Sequence, residues 1–233
     1  MLIFKIETIL AFTLLIALFT GCGKTTGYAI PSNYDFGLVA KDSFDRSNST
    51  TSLGSTDNGL DYGGSHYAWS TGGISTMGIL NGAMYAINGG SATIPGAFFD
   101  VGKANCTVKV KLKKIAGSNA IVGLRLRRAS DANEILFVHD MSGSVGTNIY
   151  TLAIMPSITA LIIFSATPAD SDILSIILSG TSISGSIIRS GATLETKTAT
   201  TSAFQTQTTF GVMDTDTSGT TGLLDDFEIR DCS

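Results

Sequence analysis

The chain is predicted to be all-β, built as two packed antiparallel sheets, and three observations predict it. Short apolar or alternating runs recur from residue 38 to residue 230 with turn residues between them. Charged residues are scarce at 15%, while Gly, Ser and Thr are abundant and Pro is rare. Helical periodicity is nearly absent from that region. With 43% of residues hydrophobic, the chain is not composed like a disordered one and a core can form.

The first 21 residues read as a targeting segment, expected as a signal-peptide helix. Lys5 precedes an apolar run from Ile9 to Phe19, which ends in the small residues Thr20 and Gly21 before Cys22. The run is shorter than the roughly 20 apolar residues of a membrane span and has no basic flank behind it. Residues 22–37 follow as a polar tether with Gly, Pro, Ser and Asn at turn spacing. One domain is expected over 38–233, a length at which sandwiches remain a single unit. Its strands are placed near 38–46, 66–71, 74–79, 83–88, 95–100, 106–114, 119–128, 134–139, 148–155, 158–165, 172–179, 181–189, 192–199, 207–213 and 222–230. The apolar stretch 149–164 is interrupted by Pro156 and Ser157 and is rich in Ile, so a buried hairpin is expected there in place of a membrane helix.

Two runs alternate cleanly. Val108, Val110 and Leu112 share one face of their strand, with Thr107, Lys109, Lys111 and Lys113 on the other. In the last run Leu223, Phe227 and Ile229 lie opposite Asp226, Glu228 and Arg230, which leaves Asp225 on the apolar side at the strand mouth. If these two strands are antiparallel neighbours, Val108 faces Ile229 and Val110 faces Phe227. Lys109 then stands beside Glu228 and Lys111 beside Asp226, a charge ladder.

The tetrad Phe19-Thr20-Gly21-Cys22 resembles a bacterial lipobox, with Phe19 where that pattern prefers Leu. The resemblance implies cleavage before Cys22, lipidation of its thiol, and an exported protein anchored in the bacterial envelope, in the outer membrane where the host has one because Gly23 follows. The segments DSFDR (42–46), Ala68-Trp69, CTVKVKL (106–112), IVGLRLR (121–127) and LLDDFEIRD (223–231) resemble, in their order, the concanavalin A-like lectin and glucanase domains of laminin-G type. That resemblance implies a jelly-roll sandwich with N- and C-terminal strands meeting in one sheet. It also brings the start of the 106–113 strand near the end of the closing strand. With Cys22 lipidated and the domain outside the cytosol, Cys106 and Cys232 are then expected as a disulfide. The scaffold itself fixes no ligand.

The expected function is a non-catalytic, lectin-like carbohydrate-binding module. The alternative is a structural or adhesive protein, phage- or prophage-encoded among the options, that contacts protein partners; a glycosidase comes third. A glycosidase needs paired carboxylates, and the nearest match, Glu228 and Asp231, reads as part of the ladder. Gly21-Cys22-Gly23-Lys24-Thr25 imitates a phosphate loop but lacks its first glycine and its following helix, and no nucleic-acid partner is expected. Tyr62, His66, Tyr67 and Trp69 put four rings within eight residues, a platform for sugar C–H faces, against the plainer reading of Trp69 as core. Asp57, Asn58 and Asp61 offer oxygens to calcium, although Asx-rich turns commonly form without an ion. His66 and His139 are too few and too far apart for a metal site. The net charge is −4, yet eight of the fifteen basic residues fall between Lys103 and Arg128. Arg125 and Arg127, read on one strand face beside the lysine strand, would form a patch for an acidic polysaccharide; the plainer reading is neutralisation by Asp226 and Glu228.

Overall fold

The computed structural model describes residues 37–59, 65–71, 76–88, 95–117, 120–130, 132–143 and 146–233. The predicted signal peptide, Cys22, the tether up to residue 36, Asp61 and Tyr62 lie outside them. Among the described residues fifteen strands follow one another: β1 (Leu38–Asp42), β2 (Ser70–Thr71), β3 (Thr76–Ile79), β4 (Met84–Asn88), β5 (Gly96–Asp100), β6 (Thr107–Leu112), β7 (Ile121–Ser130), β8 (Asn133–Asp140), β9 (Ile149–Ile154), β10 (Thr159–Ile163), β11 (Ile173–Ser179), β12 (Ser182–Arg189), β13 (Ala192–Thr200), β14 (Thr209–Asp214) and β15 (Leu224–Arg230). Each falls on one of the predicted runs, and no helix occurs among the described residues.

The strands form two antiparallel sheets. The first runs β13-β12-β11-β6-β15-β4-β3, with β1 also on β15; the second runs β10-β9-β8-β7-β14-β5-β2. Together they make the antiparallel two-sheet jelly-roll sandwich that the sequence predicts, with the terminal strands β1 and β15 paired in one sheet. Alternate residues of each inner face meet in one core: Val108, Val110 and Leu112 of β6, Leu174, Ile176 and Leu178 of β11, and Phe227 and Ile229 of β15 on one side, Val122, Leu124 and Leu126 of β7, Phe137 of β8 and Val212 of β14 on the other. The stretch 149–164 is the β9–β10 hairpin, paired antiparallel.

Two bulges change what simple alternation predicts. The β6–β15 register pairs Val108 with Ile229 and Lys109 with Glu228, as expected, but shifts between Asp225 and Glu228 so that Lys111 pairs with Asp225. Asp226 takes a positive φ of 48° there. The extra residue makes Leu224, not Leu223, the core residue, removes the expected Val110–Phe227 pairing, and turns Asp225 outward to the lysines. A second shift lies between Leu126 and Ser130 on β7, with Arg127 at φ 47°.

Cys106 and Cys232 form the expected disulfide. The antiparallel path continues beyond the strand ends, since Ser233 N–H donates to Asn105 O at 2.9 Å, and this brings the two Cα atoms within 4.1 Å. Closing a loop across 126 residues stabilises the fold by about 4–5 kcal/mol in the chain-entropy account.

Candidate functional site

The outer face of the first sheet carries the predicted charge ladder, and the β15 bulge opens it into two adjoining clefts. Lys109 Nζ lies 4.0 Å from Glu228 Oε1. Lys111 Nζ sits between Asp225 Oδ2 at 3.7 Å and Asp226 Oδ2 at 3.4 Å. Lys113 Nζ donates to Asn81 O and Gly82 O at 3.0 and 2.9 Å and lies 3.9 Å from Asp225. One open cleft of about 320 Å³ is lined by residues including Asp45, Asn81, Gly82, Lys113, Asp225 and Asp226. The second, of about 280 Å³, is lined by Lys41, Lys109, Lys111, Ile173, Asp226 and Glu228.

Asp226 is the wall between the clefts, and its side chain is about half exposed at 47%. Extended backbone would aim it along the sheet face with its neighbours; the positive φ of the bulge lifts it out instead. Asp225 behind it is better covered, and burial, followed by the adjacent Asp226 charge, pushes its carboxyl above the usual range. The clefts therefore offer ammonium donors, carboxylate acceptors and backbone carbonyls side by side, without an aromatic lining.

The residues singled out by the sequence are dispersed. Trp69 is core: its ring packs edge-on against Phe99 and Phe227 at 4.8 and 5.2 Å, and its Nε1–H donates to Asp42 Oδ2 at 2.6 Å. Tyr67 is buried and stacks on Phe99 at 4.9 Å, whereas His66 is exposed. The described members of the ring cluster thus divide between core and solvent and form no platform. Asp57 is engaged by Ser43 N–H, Ser43 Oγ–H and the Arg46 guanidinium. Asn58 pairs its backbone with Lys41 and its side-chain oxygen accepts from Gly59 N–H. Among the described residues no three His, Cys, Asp or Glu side chains converge on a metal position.

The expected basic patch is not assembled, because β6 and β7 lie in different sheets. Arg125 is fully buried in a bidentate pair with Glu134, at 2.6 and 2.7 Å. The β7 bulge sends Arg127, also fully buried, to Ala104 O and Asn105 Oδ1, both at 3.2 Å; desolvation holds its pKa below the usual guanidinium value. The bulge returns Arg128 to the Arg125 side, where its guanidinium lies 3.8 Å from the Phe98 ring centre.

Among the described residues five buried carboxyls, Glu134, Asp140, Asp42, Asp172 and Asp214, escaped the sequence reading. Asp42 collects Arg46, Trp69 and the Phe44 N–H, and burial nevertheless raises its pKa. Asp172 accepts from Tyr150 Oη at 2.6 Å and from Arg189 Nε and Nη2 at 2.6 and 2.7 Å. Asp214, on β14, accepts Ala86 N–H from β4 at 2.9 Å and so ties the two sheets together. The only advance signal for Asp42 was its place in the DSFDR segment.

No protein-family profile matches the chain, and no curated protein sequence does. Among solved structures it is similar to the VIP36 exoplasmic/lumenal domain in its Ca2+/Man3GlcNAc-bound form, at 10% identity over 71% of this chain and 83% of that one, TM-score 0.47. It is similar to domain 4 of AbnA, a GH43 extracellular arabinanase from Geobacillus stearothermophilus, in complex with arabinotriose, at 15% identity over 84% and 93%, TM-score 0.47. It is also similar to the CBM2 module of the evolved Dit of Lactobacillus casei BL23 phage J-1, at 13% identity over 83% and 95%, TM-score 0.48.

Proposed function

We propose that the chain is a lectin-like, non-catalytic carbohydrate-binding module, exported and held on the bacterial envelope by lipid on Cys22, and that it takes glycan in the two clefts flanking Asp226. The observation that carries this reading is the pair of adjoining open clefts with a half-exposed carboxylate between them. Sugar hydroxyls both donate and accept, and here acceptors (Asp225, Asp226, the Asn81 carbonyl) stand beside the Lys113 ammonium in one cleft, and Asp226 and Glu228 stand beside the Lys41, Lys109 and Lys111 ammoniums in the other. One cleft holds three carboxylates and one ammonium, the other three ammoniums and two carboxylates. Charge of both signs at close quarters suits a neutral glycan better than an acidic polysaccharide. A binding rather than a hydrolytic role is supported by the company of the carboxylates: Asp225, Asp226 and Glu228 each face a lysine or arginine. A hydrolase instead needs one protonated and one free carboxyl flanking an open bond position.

A panel of immobilised neutral and acidic glycans, probed with the full protein and with Asp226→Ala, tests the site. Retention on a neutral glycan that falls at least about tenfold in Asp226→Ala is expected; equal retention of both proteins, or binding to protein targets alone, overturns it. The anchor has a separate test. Radiolabelled palmitate should enter the wild-type protein and not Cys22→Ala, and label surviving that substitution ends the claim.

A further inference from the structure

We infer that the tip of the β9–β10 hairpin enters the lipid surface to which the chain is anchored, with Ile158 as its leading side chain; this rests on the lipid proposed at Cys22. The tip is apolar and uncharged. From Ile149 to Ala169 the chain carries no Asp, Glu, Lys or Arg, and Pro156, Ser157, Ile158, Thr159 and Ala160 are all exposed. Ile158 stands in the turn itself and is 40% exposed. The other exposed large hydrophobic residues among those described, Ile163, Ile177 and Leu194, lie along strands.

Ile158 is also held at a φ of 48°. A left-handed backbone suits Gly or Asn and is costly for a β-branched residue. Contact with water does not offset that strain. An exposed isoleucine at a strained turn position points instead to apolar surroundings beyond the protein. The other side of the turn is secured: Met155 packs against Leu136, Val138 and Met213, and its N–H donates to Glu134 O at 2.9 Å. The tip therefore projects from a fixed base.

Strand pairings place this tip at the end of the sandwich where the chain enters. Ile154 pairs with Ile135 and Ile135 with Leu126; the next residue, Arg127, bonds Ala104 O and Asn105 Oδ1, just ahead of β6. Thr107 of β6 pairs with Arg230 and Arg230 with Leu38, whose neighbour Gly37 accepts the Asp231 N–H at 2.7 Å. Cys22 precedes Gly37 by 15 residues, at most about 50 Å of fully extended chain. The end that carries the tip is therefore the end tethered to the bilayer, and this favours lipid over a protein partner. An uncharged tip enters the headgroup boundary without desolvating a charge.

The test uses the full lipidated protein in phosphatidylcholine vesicles, with a polarity-sensitive dye on Ser157→Cys or on Thr217→Cys, an exposed position between β14 and β15 at the opposite end. Bromine on the acyl chains should quench the dye on Ser157→Cys at least about twofold and leave that on Thr217→Cys unchanged, as for a tip about 5–10 Å inside the headgroup boundary. Adding Ile158→Asp should return the first dye to the emission of the second. Cooperative melting of each labelled protein verifies that the readings come from folded chains. Palmitate-bearing protein whose dyes report water at both positions, or quenching at Ser157→Cys that survives Ile158→Asp, overturns the inference and leaves the anchor standing. A change that follows protein concentration in place of lipid marks contact between copies and overturns it as well. Protein that takes up no palmitate overturns the anchor, and with it this inference.

Discussion

Each sheet carries a cross-strand ion pair on its outer face, and the two pairs sit in opposite environments. On the first sheet Lys109 and Glu228 lie 4.0 Å apart with side chains 37% and 19% exposed. On the second, Arg125 and Glu134 lie 2.6 Å apart and are both fully buried, beside a small apolar cluster of Leu136, Val138 and Met213. Both pairs alternate with core residues, Val108 and Ile229 in one case and Leu124, Leu126 and Ile135 in the other. The same strand period thus puts one pair in water, where it contributes little, and the other in a desolvated layer, where each charge depends on its partner. A position's face is set by the pleat, but its energy by what lies over that face.

Breaking the buried pair should produce the larger effect. Glu134→Ala leaves a guanidinium without its carboxylate and should cost about 3–5 kcal/mol, which lowers the melting temperature by on the order of 10 °C in a domain of this size. Replacing both residues by apolar ones, Arg125→Met with Glu134→Leu, should recover most of that loss because no lone charge remains. A single Glu134→Ala that melts with the wild type would erase the contrast.

The buried carboxyl of Asp214 sharpens the contrast through pH. Burial raises its pKa well above the usual value, against the pull of two backbone donors, Ala86 and Asp216. The folded state then holds a proton that the unfolded state releases near its ordinary pKa of about 3.9. Stability from this group is present below that pH and is lost as pH rises towards the folded-state pKa. Asp214→Asn keeps a side-chain oxygen for a backbone donor and removes the ionisation. Its melting temperature relative to wild type should therefore climb as pH is raised from 4, and a difference that stays flat with pH contradicts the assignment.

What the sequence made legible follows the same division. The fifteen strands among the described residues could be placed because period-2 alternation and turn residues bound each one, and the Lys109–Glu228 match followed from aligning two apolar faces. Alternation alone assigns charges to water, so it put Arg125 on a surface patch. The contrary signal was present in Ile135–Val138, four consecutive apolar residues, which is how a strand covered on both faces reads. Neither bulge could be foreseen, since Asp226 and Arg127 adopt positive φ without being glycine. Without the β15 bulge, Asp225 and Leu223 were assigned to the wrong faces. The clefts around Asp226 join residues near 45, 81, 113 and 225, and no local spacing announces a site made from four distant segments.

The smallest expected effect is on the exposed ladder. Lys109→Ala removes an ammonium 4.0 Å from Glu228, but Glu228 keeps Arg230 Nε at 2.6 Å, so the remaining carboxylate is neither buried nor deserted. The pair's Coulomb attraction is weakened by water, and holding a long lysine side chain in place costs rotamer entropy, so the loss should stay within about 0.5 kcal/mol. At 1 M salt the screening length shrinks to about 3 Å, and the small difference between Lys109→Ala and wild type should shrink with it. Glu134→Ala should be far less salt-sensitive, because ions do not reach a buried pair. Denaturant melts of the two variants at low and high salt measure both losses side by side. A Lys109→Ala loss above about 2 kcal/mol, or a Glu134→Ala loss that salt abolishes, would show that the two faces do not differ in solvation.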